Sequence, residues 1–462
     1  MSKDPDCQKI AKVIPIFKGG SKTKPGNYRP ISLLSIINKI IEKTIHSRLT
    51  SYLDKYNLIT DNQFGFRKGY NTTMAVTEFY EKLLNSKDEG YATCAVLLDL
   101  SKAFDSVNHT IILHKLYQYG IRGNAWKLFQ SYLRNRVQFV SDNTSKSNYT
   151  DVNIGVPQGS VLGPLLFLLH INDLKNSTRF DVLNFADDTL LYWTFNNPHK
   201  VQQDMNIEIK KVKQWLDINH LTLNETKTKY MLFSPKLIKY KNINLTLKFN
   251  NSEIERVKEY KYLGLILDDK LTWNSHLKHI KNKLSKSLGI LYKLRHILNK
   301  AVLKIVLHSL FISHIQYGIL CWARCAPGAL EPIQIMLNKA MRCINFCNHR
   351  EQVIKFLHKD QILLIEDMFK LELAKFMFNF KSGSLPGNFS KYFIKLSSQH
   401  SYQTRAAKSG FFKPRKQTNR GQRGLRYCGP GLWSEIPDSL KDEKSVIQFG
   451  SKYKKFLLDK YI

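Results

Sequence analysis

Hydrophobic and polar positions change their spacing several times along the chain. Residues 10–17 (IAKVIPIF) read as a strand, and the turn-rich KGGSKTKPGN follows. Over 31–53 the apolar positions Ile36, Ile37, Ile40, Ile41, Ile45, Leu49 and Leu53 recur at helical spacing, which predicts a helix. Residues 92–99 (ATCAVLLD) form a continuous apolar run ending in an acid, the pattern of a buried strand. Helices are predicted over 111–119 and 125–133. The segment 182–192 (VLNFADDTLLY) reads as two short strands joined in a hairpin at Ala186-Asp187-Asp188. Strands and helices are mixed, so the fold class is α+β. Beyond about residue 270 the pattern becomes helical. Leu277, Ile280, Leu284, Leu291, Leu294, Leu298, Val302 and Ile305 mark one face, and Lys278, Lys281, Lys283 and Lys286 lie off it. This predicts a basic amphipathic helix layer.

Composition narrows the partners. Hydrophobic residues make up 43% and aromatics 12% of 462 residues, enough for two to four packed domains and against wholesale disorder. Lys and Arg number 71 against 37 Asp and Glu, a net charge of +34. Such a chain repels itself unless polyanions share its surface, so nucleic acid is the first expected partner and anionic membrane the second. An ordinary basic protein is the third reading. The longest apolar run, 161–171 (VLGPLLFLLHI), is interrupted by Gly-Pro and His and is shorter than the roughly 20 residues of a spanning helix. No membrane partner is expected, therefore, nor any obligate protein partner. Between 270 and 330 there are ten Lys and Arg and no acid, and 402–426 holds eight more with none. The second stretch, with its Gly and Pro, reads as an extended basic arm before a short tail containing Trp433. A solvated tail and a phosphate-tracking segment both fit it.

Seven scattered cysteines do not form a disulfide framework, and MSKDPDCQKI has no apolar core of a signal peptide. The expected location is intracellular, nucleus or cytoplasm, and not secreted. Cys321/Cys325 and Cys343/Cys347 have C-x₃-C spacing in apolar helical stretches, which favours structural thiols over a zinc site.

The candidate chemistry lies in three acids. Asp99 ends a buried strand, and Asp187-Asp188 sit at a hairpin tip, so one sheet edge could hold all three rigidly. Converging carboxylates repel unless cations join them, and hard oxygen ligands suit Mg²⁺. Two such ions about 4 Å apart serve phosphoryl transfer. An Asp-Asp pair alone is more often a solvated turn than a metal site.

The company of those acids carries a resemblance. The segments IPIFKGG…NYRPISLLS (14–35), NQFGFRKG (62–69), LLDLSKAFDSVNH (97–109), GVPQGSVLGPLLFLLHINDL (155–174), FADD (185–188), LTLNETKT (221–228) and YKYLGLILDDKLTW (260–273) occur in this order. With RYCGPGLW at 426–433, they resemble the reverse transcriptase of non-LTR retrotransposons (LINEs), the jockey-like group in particular. The resemblance implies an RNA-directed DNA polymerase with a right-hand architecture. Fingers and the start of a ferredoxin-like palm would occupy 1–95, and the palm with catalytic motifs and primer grip 96–275. An all-α thumb would follow at 276–380, then a basic C-terminal extension at 381–462.

The resemblance also implies roles. Asp99, Asp187 and Asp188, with the Leu100 carbonyl, would hold two Mg²⁺ ions. Phe104 would be the steric gate against a 2′-hydroxyl. Gln158 and Gly159 would line the incoming nucleotide, with Gly155 and Gly159 letting the backbone approach a ligand. Lys18 and Arg29 would face the triphosphate. Lys227 would be a general acid for pyrophosphate, with an ordinary surface lysine as the other reading. Arg67 would touch the template, Tyr262, Leu263 and Gly264 would grip the primer, and Lys278, Lys281, Arg415 and Arg420 would contact nucleic acid. RNA template, DNA primer or target, and dNTPs are the expected partners. The family's endonuclease is expected to lie outside this chain. A truncated, catalytically inactive nucleic-acid-binding remnant is the alternative; an intron maturase or telomerase would fit the FADD and GVPQGS boxes less well.

Overall fold

The computed structural model describes residues 9–142, 144–240, 243–250, 252–348, 350–398 and 410–461. The first strand forms where its alternation predicts, as β1 (Ile10–Phe17). The turn-rich segment returns the chain as β2 (Tyr28–Leu33), antiparallel to β1 with Ile14 opposite Ile31.

Ser35 then caps α1 (Ile36–Lys55) by accepting the Asn38 amide at 3.1 Å. The helix starts later than expected, since 31–33 belong to β2, and its apolar stripe is divided: Leu49 and Leu53 are buried, but the first turns face outward. Ile36, Ile37 and Ile40 are 79%, 62% and 60% exposed, while Asn38 and Glu42 are fully buried. Glu42 decides the orientation. Its carboxylate accepts the Leu162 amide at 3.3 Å and the Tyr132 hydroxyl at 3.0 Å, and Asn38 donates to it at 3.2 Å. The acid therefore sits at the N-terminus of the helix over Leu162–Ile171, where free amides and the helix dipole favour a negative charge.

The central sheet follows from α2 (Thr72–Asp88), β3 (Ala92–Leu98), α3 (His109–Gln118), α4 (Gly123–Leu133), β4 (Arg136–Val140), β5 (Thr150–Val152), α5 (Leu162–Ile171), β6 (Asp181–Phe185), β7 (Asp188–Phe195), α6 (Pro198–Ile218), β8 (Lys229–Phe233) and β9 (Glu255–Arg256). Its strand order is β9-β8-β3-β7-β6, while β2-β1-β4-β5 form a second sheet. All seven residues of β3 are buried, which explains their unbroken apolar run. Ala95 and Leu97 pack with Val76, Phe79 and Leu83 of α2. Cys94, Val96 and Leu98 pack on the other face with Ile112, Leu165 and Ile209.

A hairpin of β10 (Glu259–Tyr262) and β11 (Leu265–Asp268) leads into α7 (Asn274–Leu294), α8 (Lys300–Leu307), α9 (Glu331–Ile344) and α10 (Ile365–Lys381). The single stripe predicted from Leu277 to Ile305 is divided between two helices. Asn299 accepts the Val302 amide at 3.1 Å and caps the start of α8. Val302 and Ile305 are consequently exposed, and Leu303 and Leu307 take the buried face.

The basic arm is the largest departure. Arg405 and Lys408 lie outside the described residues, and from residue 410 the chain is docked rather than a free arm. Lys416 donates to Asn85 at 2.7 Å and pairs with Asp88 at 3.7 Å. Asp88 also accepts the Thr418 amide and hydroxyl at 2.9 and 2.8 Å. The chain continues as α11 (Leu425–Glu435) and α12 (Val446–Leu458). Trp433 is 1% exposed in the core that α2, α7 and α10 share, so one core runs across the expected boundaries at 275 and 380. Acids on α2 explain the docking, since buried carboxylates require donors. No described helix is long and apolar enough to cross a membrane.

Candidate active site

The register of three strands assembles the site. Leu98 is opposite Thr189, and Leu97 is opposite Lys229. Asp99 therefore leaves β3 beside Asp188 on one flank and the 221–228 loop on the other. Phe185 pairs with Asp188, closing the hairpin tip through Ala186 at φ +56°. The loop is laced to Asp99: its carbonyl accepts the Asn224 amide at 2.8 Å, and its amide donates to Thr228 Oγ1 at 3.5 Å. That lacing brings Lys227 Nζ to 3.8 Å from Asp99 Oδ2. Leu100 is buried and pairs with Leu223.

Burial, then Asp187 and Asp99, push the Asp188 carboxyl up to about 6. Burial raises Asp187 as well, and so does Asp99, while Lys18 and Arg29 pull it back down. Both cations singled out in the sequence thus act electrostatically at Asp187. The β10 hairpin borders the same edge. Tyr262 is pushed well above the ordinary tyrosine range by burial and then by Asp188.

A floor lies alongside. The Phe104 ring packs against Phe167 at 4.7 Å and meets Phe66 edge-on at 6.2 Å. Gln158 donates to Asp105 at 2.8 Å, and its carbonyl accepts the Ser32 amide at 2.7 Å. Gly155 and Gly159 lie tight against the protein's own backbone. A Cβ at Gly159 would come within 2.7 Å of the Ser32 carbonyl, and one at Gly155 within 2.7 Å of that of Asp105.

Residues 18–267 match the protein family described as Reverse transcriptase (RNA-dependent DNA polymerase). The chain belongs to the reverse transcriptase family. Among curated relatives, it is 29% identical over 359 residues to the RNA-directed DNA polymerase ascribed to transposon BS of Drosophila melanogaster, covering 74% of this chain and 39% of that protein. It is 28% identical over 353 residues to the RNA-directed DNA polymerase from mobile element jockey of the same species, covering 74% and 38%. The chain therefore spans about two fifths of the length of these relatives. A solved apo telomerase from Candida tropicalis aligns with a TM-score of 0.43 at 12% identity, covering 83% of this chain and 67% of that one.

The reverse transcriptase match contains the three acids, Phe104, Gln158, Lys227 and all but the last residue of the β10–β11 hairpin, and ends before α7. Other expected contacts are placed differently. Arg67 is turned inward: it donates to the carbonyls of Thr60 at 2.8 Å and Gln63 at 3.2 Å and stacks on Tyr70 at 4.2 Å. It holds the 60–70 loop instead of presenting a free guanidinium to a template. Tyr262 is buried, and Gly264 forms the hairpin turn at φ +81°. Lys278, Lys281 and Arg415 are exposed, and Arg420 is half-buried near Lys87.

Sequence reasoning missed Gln63. It is 1% exposed, and its Oε1 accepts the Gly65 amide at 2.8 Å and the Ala186 amide at 3.0 Å. The Phe64 amide donates to the Asn184 carbonyl, and the Asn184 amide to that of Asn62, each at 2.8 Å. The NQFGFR segment thus clamps the hairpin that presents Asp187. The signals for it are the NQFGFRKG motif and its Gly65, whose added Cβ would lie 2.4 Å from the Ala186 nitrogen. Gly65→Ala is expected to displace the tip and, since misplacement by about 1 Å costs on the order of 10²-fold, to lower kcat by about that factor. Primer-extension rates with a thermal-melt control measure it. An unchanged kcat would show that the clamp does not set the acids.

Among the described residues no three His, Cys, Asp or Glu side chains close into a preformed metal cage. The donor set nonetheless suits a hard divalent cation. Carboxylate oxygens share an edge where burial, and then repulsion from neighbouring carboxylates, raises Asp187 and Asp188, and positive charge relieves that repulsion.

Proposed function

We propose that this chain is the polymerase part of a non-LTR retrotransposon protein, adding deoxynucleotides to a primer 3′-hydroxyl on an RNA template and releasing pyrophosphate. The observation that carries the reading is the single edge on which Asp99, Asp187 and Asp188 meet Lys227, Lys18 and Arg29. The β2-β1-β4-β5 sheet with α1 corresponds to fingers, the central sheet to palm, and the helices from α7 onward to thumb. Bound by the three acids and the Leu100 carbonyl, two Mg²⁺ ions would supply activation of the attacking hydroxyl and neutralisation of the leaving group. Lys18 and Arg29 hold the triphosphate by charge. Lys227 gives a proton to the departing pyrophosphate. The Asp105–Gln158 hydrogen bond fixes the loop beneath the nucleotide, and Phe104, backed by Phe167, leaves no space for a 2′-hydroxyl.

The test is extension of a DNA primer annealed to RNA, with Mg²⁺ and dNTPs. A parent protein that binds this duplex without extending it would sink the reading. Phe104→Ala should lower the preference for dGTP over GTP, measured as kcat/KM, by roughly 10- to 200-fold, the scale for admitting or excluding one small group. An unchanged ratio would make Phe104 packing only.

A further inference from the structure

The loop that clamps the Asp187-Asp188 hairpin is itself braced by the C-terminal segment. Phe64 stands between Gln63 and Gly65 of that clamp and is 1% exposed. Its amide donates to Asn184 of the hairpin, while its ring meets the Phe389 ring edge-on at 6.5 Å. Phe389 ends a single turn over Gly387–Phe389 and is fully buried. It packs in turn on Phe376 of α10 at 5.4 Å and on Tyr392 at 5.2 Å. The same turn meets the loop a second time, since a Cβ at Gly387 would lie 3.0 Å from Asp61 Oδ2. Asp61 accepts the Tyr70 hydroxyl at 3.4 Å, and the Tyr70 ring meets Phe64 at 5.4 Å. Between α1 and α2 the loop carries no regular element, only an isolated bridge from Gln63 to Asn184. Its place is therefore set by what packs on either side of it.

We propose that Phe389 is a positioning residue for polymerisation: through Phe64, the C-terminal segment sets the place of the Asp187-Asp188 hairpin. The inference rests on the polymerase reading above. Phe389 acts only through the loop. Removing its ring leaves a void beside Phe64, into which that ring and its loop relax. The Phe64 amide and the Gln63 side chain move with the loop, and the hairpin follows because both are bonded to its backbone. Gly65 transmits the shift as well, since its backbone leaves no room at Ala186. Misplaced acids cost rate at the chemical step, while the surfaces that bind primer, template and nucleotide stay as they were.

Single-turnover extension by the full chain, on a DNA primer annealed to RNA, tests this. Phe389→Ala should lower the rate constant by about 10- to 100-fold, with KM for dNTP and affinity for the duplex changed less than about threefold. Phe389→Leu, which keeps most of the volume, should lose less. Phe449 supplies the comparison, because it is fully buried in the same core but has Phe378, Trp433 and Tyr453 as its ring neighbours. Phe449→Ala should lower the melting temperature at least as far and keep the parent's extension rate. Should either alanine variant fail to fold, Phe389→Leu and Phe449→Leu carry the same comparison. Gly65→Ala combined with Phe389→Ala should cost less than the product of the separate losses, since both act on one contact between loop and hairpin. With a parent that extends, three results overturn the inference alone: an unchanged rate in Phe389→Ala, equal rate losses at Phe389 and Phe449, or losses that multiply. A parent that binds the duplex without extending it overturns the polymerase reading with it.

Discussion

Asp187→Asn is expected to lower primer extension by about 10³-fold or more while RNA binding changes little, because each tenfold is 1.36 kcal/mol and several kcal/mol of charge stabilisation depend on this carboxylate. The substitution keeps the shape of the side chain and the hairpin. The clamp from Gln63 reaches the Ala186 amide, not the Asp187 side chain, so the tip stays in place. What is lost is the charge between Asp99 on one side and Lys18 and Arg29 on the other. Single-turnover extension on a saturating primer–template, with filter binding of the RNA alone, separates the two effects. Extension within about tenfold of the parent would remove Asp187 from the catalytic set.

The second large effect is on stability. Arg324 and Glu81 form an ion pair with side chains each 2% exposed, joining α2 to the helical layer. Arg324 also donates to the Arg423 carbonyl at 3.0 Å, and Glu81 accepts the Leu425 amide at 2.9 Å. The pair therefore pins the start of α11 as well. Arg324→Met leaves a buried carboxylate without its cation and should cost about 3 to 5 kcal/mol. Adding Glu81→Gln removes the stranded charge and should recover a large part of that loss. Urea unfolding followed by tryptophan fluorescence reads both variants, since Trp433 lies in this core. Equal loss in the single and double variants would mean that the charge is not what destabilises. Limited proteolysis of Arg324→Met should also open the chain near 410–426, where docking depends on α2.

These two predictions differ in how far the sequence anticipates them. Asp187 was legible because it sits in a short contiguous motif, FADD at 185–188. The Glu81–Arg324 pair was not, since its members are 243 residues apart. Glu42 was hidden for another reason. The isoleucines beside it form a convincing apolar stripe, yet the helix turns its polar side inward to satisfy the amides at the start of α5. The basic stretch before Trp433 misled similarly: with no acid near it in sequence, its partners Asn85 and Asp88 could not be seen.

By itself the sequence determined the mixed α+β class, the buried strand ending at Asp99, the hairpin at Asp187-Asp188 and the family, because each is written in local periodicity or in a short ordered motif. Only the tertiary structure decided which helix face is buried, that Gln63 clamps the Asp187-Asp188 hairpin, that Arg67 is turned inward, and that the C-terminal segment is docked on α2. Those outcomes depend on which polar groups meet after folding. A buried donor or acceptor must find its partner wherever the chain brings one, and local pattern holds no record of that meeting.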